Sequence, residues 1–313
     1  MKRLNIKKRL QNDKKKVAAV VVTYNRKNLL LECIDALFAQ TCKKQLDVIV
    51  VDNASTDGTQ DALKHFVRQH KITYVNTGAN LGGAGGFQRG IEYASNKDYD
   101  YIWVMDDDCI PTKNALDEFL KCARSLGDNF GFLSSKALWK DGTLCRMNVQ
   151  RRTLTKDVRK IRKKPVEVAM ASFVSLFIPV KIVHELGLPI KEFFIWTDDW
   201  EYTRRISRKH KCYLVPESIV VHKSANNGGA NVVHDGADRL DRYRYIFRND
   251  IYLYRREGVK GFAFQTAKIL YYSASVLLFS KNNKTKRLKS IFSGTIDGFK
   301  FKPSIEYAKR KTK

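Results

Sequence analysis

The chain has 313 residues, of which 43% are hydrophobic, and this is enough to bury the core of one large domain. Disorder along the whole chain and a small fold held by disulfides are therefore excluded. Lys and Arg exceed Asp and Glu by 26, so we expect a polyanionic partner such as an anionic membrane surface, a phosphorylated ligand or a nucleic acid.

The positive charge is concentrated at the two ends and in one internal insert. Residues 1–16 and 151–164 each have a net charge of +7, and residues 239–313 have a net charge of +14. This distribution favours attachment to a membrane surface over a folded face that reads DNA. The six cysteines form no redox or metal-binding pattern, and no signal peptide follows the basic start. We therefore expect reduced thiols and a cytoplasmic location.

Short apolar runs alternate with helical segments along the first half of the chain. The runs predict buried strands at 17–22, 46–52, 72–76 and 100–106. The segments between and after them predict helices at 27–39 and 58–70, a helix that ends near 95, and a helix at 114–126. This alternation predicts an α/β fold of the Rossmann-like kind, with a mostly parallel sheet and helices on both faces. Ligands of such sheets bind at the carboxyl ends of the strands.

The second half of the chain is less regular. Residues 131–138 lead into the basic insert. The pattern then predicts one or two buried strands within 166–179, a short helix at 182–189, a loop that leads into a helix at 193–210, and a last strand within 213–223. From about residue 239 the pattern becomes helical, and its apolar stripe comprises Leu240, Tyr243, Phe247, Ile251 and Tyr254. Residues 261–280 are apolar on nearly all sides, but Gln265 and Lys268 argue against a transmembrane helix. We expect a buried helix or one that lies on a membrane.

These patterns divide the chain into three parts. Residues 1–16 form a basic tail, residues 17–235 form a catalytic domain, and residues 236–313 form a basic, aromatic and helical region that we expect to associate with a membrane.

Three adjacent carboxylates, those of Asp106, Asp107 and Asp108, close the predicted strand 100–106. They are costly at a buried strand end unless a positive charge compensates them. In an extended backbone Asp106 and Asp108 point to one side, where they could chelate a divalent cation and through it a diphosphate. His222 ends a later strand and is the candidate third ligand. The alternatives are an acidic loop that caps the next helix and a core histidine.

Other polar residues follow the strands at the same predicted edge. Thr23 and Asn25 come at the end of the first strand and Asp52 ends the second, where they could hold a nucleoside or form turns. A glycine-rich run from 80 to 87 starts a helix, and its backbone could approach a ligand or simply form a tight turn. No P-loop is present, and a dinucleotide-binding fingerprint is poorly supported.

A second acidic cluster, Asp198 and Asp199, is flanked by Trp196 and Trp200. Adjacent helical residues diverge by roughly 100°, so one carboxylate can face the cleft while the other caps the helix. The carboxylate in the cleft could accept a proton from an attacking hydroxyl, and the tryptophan rings could form the wall of a sugar site. The alternative is a plain helix cap followed by a solvated face.

The order of four motifs resembles that of the family 2 glycosyltransferases, which have the GT-A fold. These motifs are TYN at 23–25, VDNASTDGT at 51–59, MDDD at 105–108 and WTDDWEY at 196–202. The resemblance extends from about residue 17 to residue 223. The run 80–87, the acidic triplet and the late strand that ends in a histidine are similar to those of bacterial galactofuranosyltransferases, and rhamnosyltransferases share much of this pattern.

The resemblance implies an inverting transfer that depends on Mn²⁺ or Mg²⁺. It implies that Asp106, Asp108 and His222 are metal ligands and that Asp199 is the general base, with Asp198 as the alternative base or an acceptor contact. Thr197 departs from the glycine that is common before the paired aspartates. The expected nucleotide-sugar contacts are Thr23, Asn25, Asp52, Asn80, Gly82, Gly83, Asp106 and Asp107.

The same resemblance implies the donor, and the basic, aromatic C-terminal segment favours a lipid-linked acceptor. We expect a UDP-sugar donor, with UDP-galactofuranose favoured, and a lipid-linked glycan acceptor at the cytoplasmic face of a bacterial inner membrane, in the synthesis of surface polysaccharide. A rhamnosyltransferase that uses a dTDP-sugar is the alternative within the family. A basic nucleic-acid-binding protein is the alternative of another class, but acidic clusters at the strand ends argue against a nucleic-acid partner.

Overall fold

The computed structural model describes residues 15–158, 161 and 163–309. The predicted basic tail therefore lies almost wholly outside the described residues, as do positions 159, 160 and 162 of the basic insert. Within these described ranges, nine strands form one sheet. They are β1 (Val17–Thr23), β2 (Leu46–Asp52), β3 (Ile72–Asn76), β4 (Tyr101–Asp106), β5 (Cys109–Pro111), β6 (Leu133–Trp139), β7 (Val166–Glu167), β8 (Leu176–Pro179) and β9 (Tyr213–His222).

The α-helices of the described chain fall between the strands and after them. They are α1 (Lys27–Phe38), α2 (Thr59–Arg68), α3 (Gly82–Ser95), α4 (Ala115–Ser125), α5 (Val180–Leu186), α6 (Asp198–Ser207), α7 (Tyr243–Arg255), α8 (Gly258–Phe279) and α9 (Lys284–Lys300). The α/β fold and the helical region after the sheet are confirmed.

The sheet has the order β3-β2-β1-β4-β8-β6-β9-β5, and β7 pairs with β9. The first four strands are parallel, as predicted. Beyond them β8 runs antiparallel to both β4 and β6, so the sheet as a whole is mixed. Antiparallel neighbours need no helical crossover, and this part of the chain accordingly connects its strands through irregular segments such as the basic insert.

Helices cover both faces of the sheet because the strand residues alternate between two cores. On β1, Val17, Ala19 and Val21 pack with α1, α2 and α4, while the residues between them pack with α3, α5 and α6. All residues of β1 are buried. A strand with two buried faces reads as a continuous apolar run, which is why β1 and β2 could be recognised from the sequence.

The register brings the polar strand ends together at one edge. Thr23 pairs with Asp52 on one side, and its neighbour Val22 pairs with Asp106 on the other. The short strand β5 turns back from the acidic triplet and runs antiparallel to β9, so that Cys109 pairs with His222. This pairing sets the late histidine beside the carboxylates.

The C-terminal helices form a further, smaller core in addition to the two cores of the sheet. The five stripe residues predicted from 240 to 254 are all buried. Helix α9 packs closely on α7, since a Cβ at Gly294 would lie 2.5 Å from the carbonyl oxygen of Arg244. Helix α8 packs on both but keeps one side open, and within the described residues it alone is long and apolar enough to cross a membrane.

Candidate active site

Asp106, Asp108 and His222 form a cluster of possible metal ligands. One ligand atom from each lies within 4.8 Å of the other two. His222 Nε2 is 3.1 Å from Asp108 Oδ1, yet this buried oxygen accepts no hydrogen bond within the described structure. Two carboxylates and an imidazole nitrogen are a donor set that suits a divalent cation such as Mn²⁺. The backbone turns at 107–108 and does not remain extended as predicted, but the predicted convergence of Asp106 and Asp108 is observed.

The electrostatics of the cluster show how strongly it favours a cation. Burial and the neighbouring carboxylate of Asp108 raise the pKa of Asp106 to about 7. Burial also disfavours the ionised form of Asp108, but His222 and Arg26 outweigh it and hold the pKa of Asp108 below its usual value. Burial alone would lower the pKa of His222, whereas its contacts with Asp108 and Cys145 raise that pKa to about 10. A proton on the imidazole and the charge of Arg26 thus compensate the carboxylates.

A second layer of hydrogen bonds fixes the ring of His222. Its Nδ1 lies 2.8 Å from the Oδ1 of Asn148, to which it donates, and Asn148 in turn donates to Ser172 Oγ at 3.0 Å. The thiol of Cys145 also donates to Asn148 Oδ1. Because Nδ1 keeps its proton for Asn148, loss of the Nε2 proton on binding of a cation would leave the Nε2 lone pair directed at the site of the carboxylates, which is the arrangement found around metal-binding histidines.

Asp107 turns toward β1 and away from the other two acids. Its Oδ2 accepts a hydrogen bond from the hydroxyl of Thr23 at 2.7 Å, and its Oδ1 lies 3.3 Å from the guanidinium of Arg26. Arg26 also contacts Asp108 at 2.6 Å. Burial raises the pKa of Asp107 to about 6, although Arg26 and Thr23 oppose the shift. Half of the Arg26 side chain remains exposed, so its charge is available at the mouth of the site.

The loops after β1 and β2 are tied to each other. Asp52 is fully buried, and its two oxygens accept hydrogen bonds from Ser55 N at 2.8 Å and from the hydroxyl of Tyr74 at 2.7 Å. Asn25 is exposed, has a left-handed backbone and accepts a hydrogen bond from Thr56 N at 2.7 Å. Both residues lie at the predicted edge, and their contact with a nucleotide stays a prediction.

The glycine-rich run forms the start of α3. Asn80 Oδ1 accepts a hydrogen bond from Gly82 N at 2.9 Å. Gly82 has φ +71°, and a Cβ there would lie 2.1 Å from the carbonyl oxygen of Phe194. Nothing lies within 4 Å of a Cβ built at Gly83. The run therefore packs α3 against the segment that leads to the second acidic cluster, in addition to any role in ligand binding.

The second acidic cluster lies at the N-terminus of α6. Asp198 is its first residue, and neither aspartate caps the helix as predicted, because the N-cap position belongs to Thr197. Asp199 is half-buried, and its Oδ1 accepts a hydrogen bond from Trp200 N at 2.7 Å. Burial, with the charge of Asp106 nearby, raises the pKa of Asp199 to about 7. Burial and Asp199 raise the pKa of Asp198 well above its usual value. Asp106 of the first cluster is thus close enough to affect the charge state of Asp199.

The two tryptophans predicted to line a sugar site have other partners as well. The ring of Trp196 lies 5.3 Å from that of Tyr243, between ring centroids. The guanidinium of Arg151 lies 3.8 Å from the ring centroid of Trp200. A contact of either ring with an acceptor stays a prediction.

Comparison with known proteins identifies the family. The model of the family described as "Glycosyl transferase family 2" matches residues 18–185, which is more than half of the chain. The chain belongs to glycosyltransferase family 2. This glycosyltransferase is 30% identical over 264 residues to galactofuranosyltransferase GlfT1 of Mycolicibacterium smegmatis, and the alignment covers 78% of this chain and 84% of that protein.

Two solved structures of low sequence identity share the fold of this family 2 glycosyltransferase. GalNAc-T7, solved with UDP, GalNAc and Mn²⁺, has a TM-score of 0.62 at 15% identity, covering 88% of this chain and 54% of that one. The mannosyltransferase PcManGT of Pyrobaculum calidifontis, solved with GDP-Man and Mn²⁺, has a TM-score of 0.53 at 17% identity, covering 89% and 73%. The predicted GT-A fold is confirmed.

Several residues that shape the site were not predicted from the sequence. Arg26 follows the TYN motif directly, and its position just after β1 was a signal that could have placed it near the acids. Asn148 lies in an irregular segment between β6 and β7, where no periodicity points to it. Asn249 and Asp250 belong to a helix that was recognised only by its apolar stripe.

Proposed function

We propose that this glycosyltransferase transfers galactofuranose, with inversion and with the aid of a divalent cation, from UDP-galactofuranose to a hydroxyl of a glycan acceptor. The observation that carries the proposal is the meeting of Asp106, Asp108 and His222 in one cluster close to Asp199. The relative of known activity supports the donor sugar, because it is a galactofuranosyltransferase with 84% of its length aligned.

The cation would be held by Asp106, Asp108 and His222, and Mn²⁺ or Mg²⁺ suits these donors. Mn²⁺ accompanies the nucleotide in both solved structures of the same fold. When bound, such a cation supplies charge stabilisation for the departing nucleoside diphosphate. The half-exposed guanidinium of Arg26 is a further positive group beside the acids. We place the nucleoside at the strand edge of Thr23, Asn25 and Asp52.

The other contacts proposed for the donor come from the remaining strand ends. Asp107 would meet the nucleotide beside Thr23, which already holds its carboxylate. The start of α3, with Asn80, Gly82 and Gly83, would approach the diphosphate or the sugar, because a helix N-terminus favours negative charge.

Asp199 would act as the general base, and Asp198 beside it would contact the acceptor. A pKa of about 7 suits this role, since the carboxylate is ionised near neutral pH and still basic enough to take a proton. The acceptor oxygen forms its bond to the anomeric carbon while the bond from that carbon to the diphosphate oxygen breaks. The hydroxyl proton passes to Asp199. A single displacement of this kind inverts the anomeric centre. Trp196 and Trp200 would flank the acceptor sugar.

We further propose that the enzyme works at the cytoplasmic face of a bacterial inner membrane on a lipid-linked acceptor. Helices α8 and α9 form an outer face on which ten large apolar side chains are about half exposed or more. These are Val259, Phe262, Leu270, Tyr271, Leu277, Leu278, Phe279, Phe292, Ile296 and Phe299. Exposed lysines such as Lys281, Lys284 and Lys289 adjoin this outer face. Apolar groups beside cations suit an anionic lipid surface.

Helix α8 lies against the protein and so fits a membrane surface better than a membrane crossing. Its inner side carries Lys268, whose ammonium contacts the buried carboxylate of Asp250 at 2.6 Å, and the buried Gln265. A span would expose these polar groups to lipid unless α7 accompanied them.

A donor panel tests the proposed reaction. The purified enzyme is given UDP-galactofuranose, UDP-galactopyranose and dTDP-rhamnose in turn, each with Mn²⁺ and with EDTA, together with a galactofuranose-containing glycolipid acceptor. We expect product only from UDP-galactofuranose and only with Mn²⁺. Turnover of dTDP-rhamnose alone would make the protein a rhamnosyltransferase, and equal turnover in EDTA would contradict the metal requirement.

A further inference from the structure

The turn 193–197, which leads to the second acidic cluster, has an unfavourable backbone conformation. Phe194, Trp196 and Thr197 have φ values of 63°, 64° and 66°, all in the left-handed region that glycine prefers. None of them is glycine. Such a run persists only where its surroundings fix it, and it immediately precedes the first residue of α6.

One buried amide holds most of this turn. The Nδ2 group of Asn249 donates to the carbonyl oxygens of Phe193 at 3.0 Å, Ile195 at 3.1 Å and Trp196 at 2.9 Å. Asn249 is fully buried. An amide offers only two protons, so these three carbonyls share them, and all three are directed at the same side chain. The turn is therefore organised around α7.

The neighbouring residue of α7 holds the last residue of the turn. Asp250 Oδ1 accepts a hydrogen bond from the hydroxyl of Thr197 at 2.9 Å, and its Oδ2 contacts Lys268 of α8 at 2.6 Å. Asp250 is 1% exposed, so both of its oxygens are engaged away from solvent. Where glycine would relax the backbone, Thr197 supplies a hydroxyl that ties the turn to the C-terminal helices.

The opposite side of the turn is fixed by α3. The carbonyl oxygen of Phe194 accepts a hydrogen bond from Ala84 N at 3.1 Å, and Gly82 leaves the room for this approach. The turn 193–197 therefore lies between the start of α3 and helix α7 of the C-terminal region.

We propose that Asn249 and Asp250 are positioning residues, which hold the turn 193–197 and thereby set the carboxylate of Asp199 for proton transfer. This inference rests on the proposed function, because it takes Asp199 as the base. It assigns to the C-terminal helices a part in catalysis that is separate from any contact with lipid. Neither residue touches substrate; both act through the turn.

The test compares Asn249→Ala with Asn129→Ala, a control in the exposed segment between α4 and β6. A misplacement of about 1 Å can cost about 100-fold in rate. We expect Asn249→Ala to lower kcat by about that factor and to leave the calorimetric affinity for UDP with Mn²⁺ within about twofold, since the Asn249 amide donates to carbonyls of the turn and not to the proposed metal ligands. The control should match the wild type. Unchanged kcat, or a loss of UDP affinity in proportion to kcat, would overturn the inference.

A second pair of variants separates positioning from general damage. Thr197→Val removes the hydroxyl and keeps a branched side chain in the left-handed region, so kcat should fall. Thr197→Gly removes the hydroxyl and the conformational cost together, so it should keep most of the wild-type kcat and should partly restore Asn249→Ala. Equal kcat for Thr197→Val and Thr197→Gly would overturn the inference.

Hydrogen exchange gives a readout that does not depend on turnover. The amides of 194–200 should exchange faster in Asn249→Ala, with those of β1 and β2 unchanged, and unaltered exchange at 194–200 would refute the role of Asn249. If the proposed function were wrong, the wild type would turn over no UDP-sugar. If only the positioning were wrong, wild type and Asn249→Ala would turn over alike.

Discussion

Asp199 is the residue whose environment is most informative about chemistry. Its carboxyl has a pKa raised to about 7 by burial and by Asp106, so the ionised fraction increases as the pH rises through that value. Only the ionised form can accept a proton. The positive charge of a bound cation would favour ionisation and move the midpoint lower.

We therefore expect kcat/KM to rise with pH to a plateau, with its midpoint at or below about pH 7. Asp199→Asn should lower kcat by about 1000-fold, keep UDP affinity, and lose this pH dependence in its residual rate. The exposed Asp141→Asn serves as the control. A wild-type profile that stays flat from about pH 5 to about pH 8 would argue that another group takes the proton.

Asn148 orients a proposed metal ligand, His222, through a hydrogen bond. It accepts a hydrogen bond from Nδ1 of His222 and leaves Nε2 to face the carboxylates. Loss of such partners typically weakens metal binding by about 10- to 100-fold.

Asn148→Ala should therefore bind Mn²⁺ more weakly by about 10- to 100-fold, as measured by the electron paramagnetic resonance signal of free Mn²⁺. Asn148→Asp, which keeps an acceptor for Nδ1, should restore the affinity. Wild-type Mn²⁺ affinity in Asn148→Ala would show that His222 needs no such support or is no ligand.

At the scale of the elements, Gly82 and Gly83 are adjacent in the same helix and differ in what surrounds them. A Cβ at Gly82 would clash with the backbone of Phe194, and the φ of Gly82 is left-handed. A Cβ at Gly83 would contact nothing within 4 Å. Gly82→Ala should lower the free energy of unfolding by about 2 kcal/mol or more. Gly83→Ala should leave it unchanged or raise it, since alanine favours a helix.

Chemical denaturation of both variants measures this difference directly. Equal stability of Gly82→Ala and Gly83→Ala would contradict the close packing of α3 on the turn 193–197.

The sequence predicted the elements that carry strong patterns. Strands β1, β2 and β4 are buried on both sides and read as continuous apolar runs, and the stripe of α7 gave its buried face. The direction of β8 was not predictable, because apolar content is the same for parallel and antiparallel strands. The three-residue β5 was too short to be recognised, although its pairing brings His222 to Asp108.

The candidate site could be predicted where its residues end strands. Asp106 and His222 end strands, and Asp108 follows β4 after one residue, so their convergence could be predicted. Arg26, Asn148 and Asn249 act through long-range contacts, which leave no local pattern in a single sequence. The side of the turn to which Asp107 points depends on Thr23, a partner 84 positions away.

At the scale of the whole molecule, the uneven charge and the outer face of α8 and α9 belong together. The largest excess of positive charge and the exposed apolar side chains are both in the C-terminal region, whose Asp250 accepts a hydrogen bond from Thr197 of the turn 193–197 and pairs with Lys268 of α8. An enzyme seated on lipid through this face would hold its acceptor site near lipid-linked substrates.

Sedimentation with vesicles tests whether the outer face of α8 and α9 binds lipid. The protein should bind vesicles that contain phosphatidylglycerol, bind phosphatidylcholine vesicles weakly, and dissociate as salt rises. The double variant Leu270→Glu with Phe292→Glu should lose binding, and Val67→Glu, an exposed valine on α2, should not. Equal binding of all three proteins would contradict the outer face as the lipid contact.

The proposed mechanism depends most on the cation that would join the acidic cluster to the nucleotide. Calorimetric titration of UDP into the wild type, Asp108→Asn and the exposed control Asp61→Asn, each with Mn²⁺ and with EDTA, measures that link directly. We predict that Mn²⁺ tightens UDP binding in the wild type and the control and has no effect in Asp108→Asn. UDP binding that is equally tight in EDTA, or that Mn²⁺ still strengthens in Asp108→Asn, would contradict it.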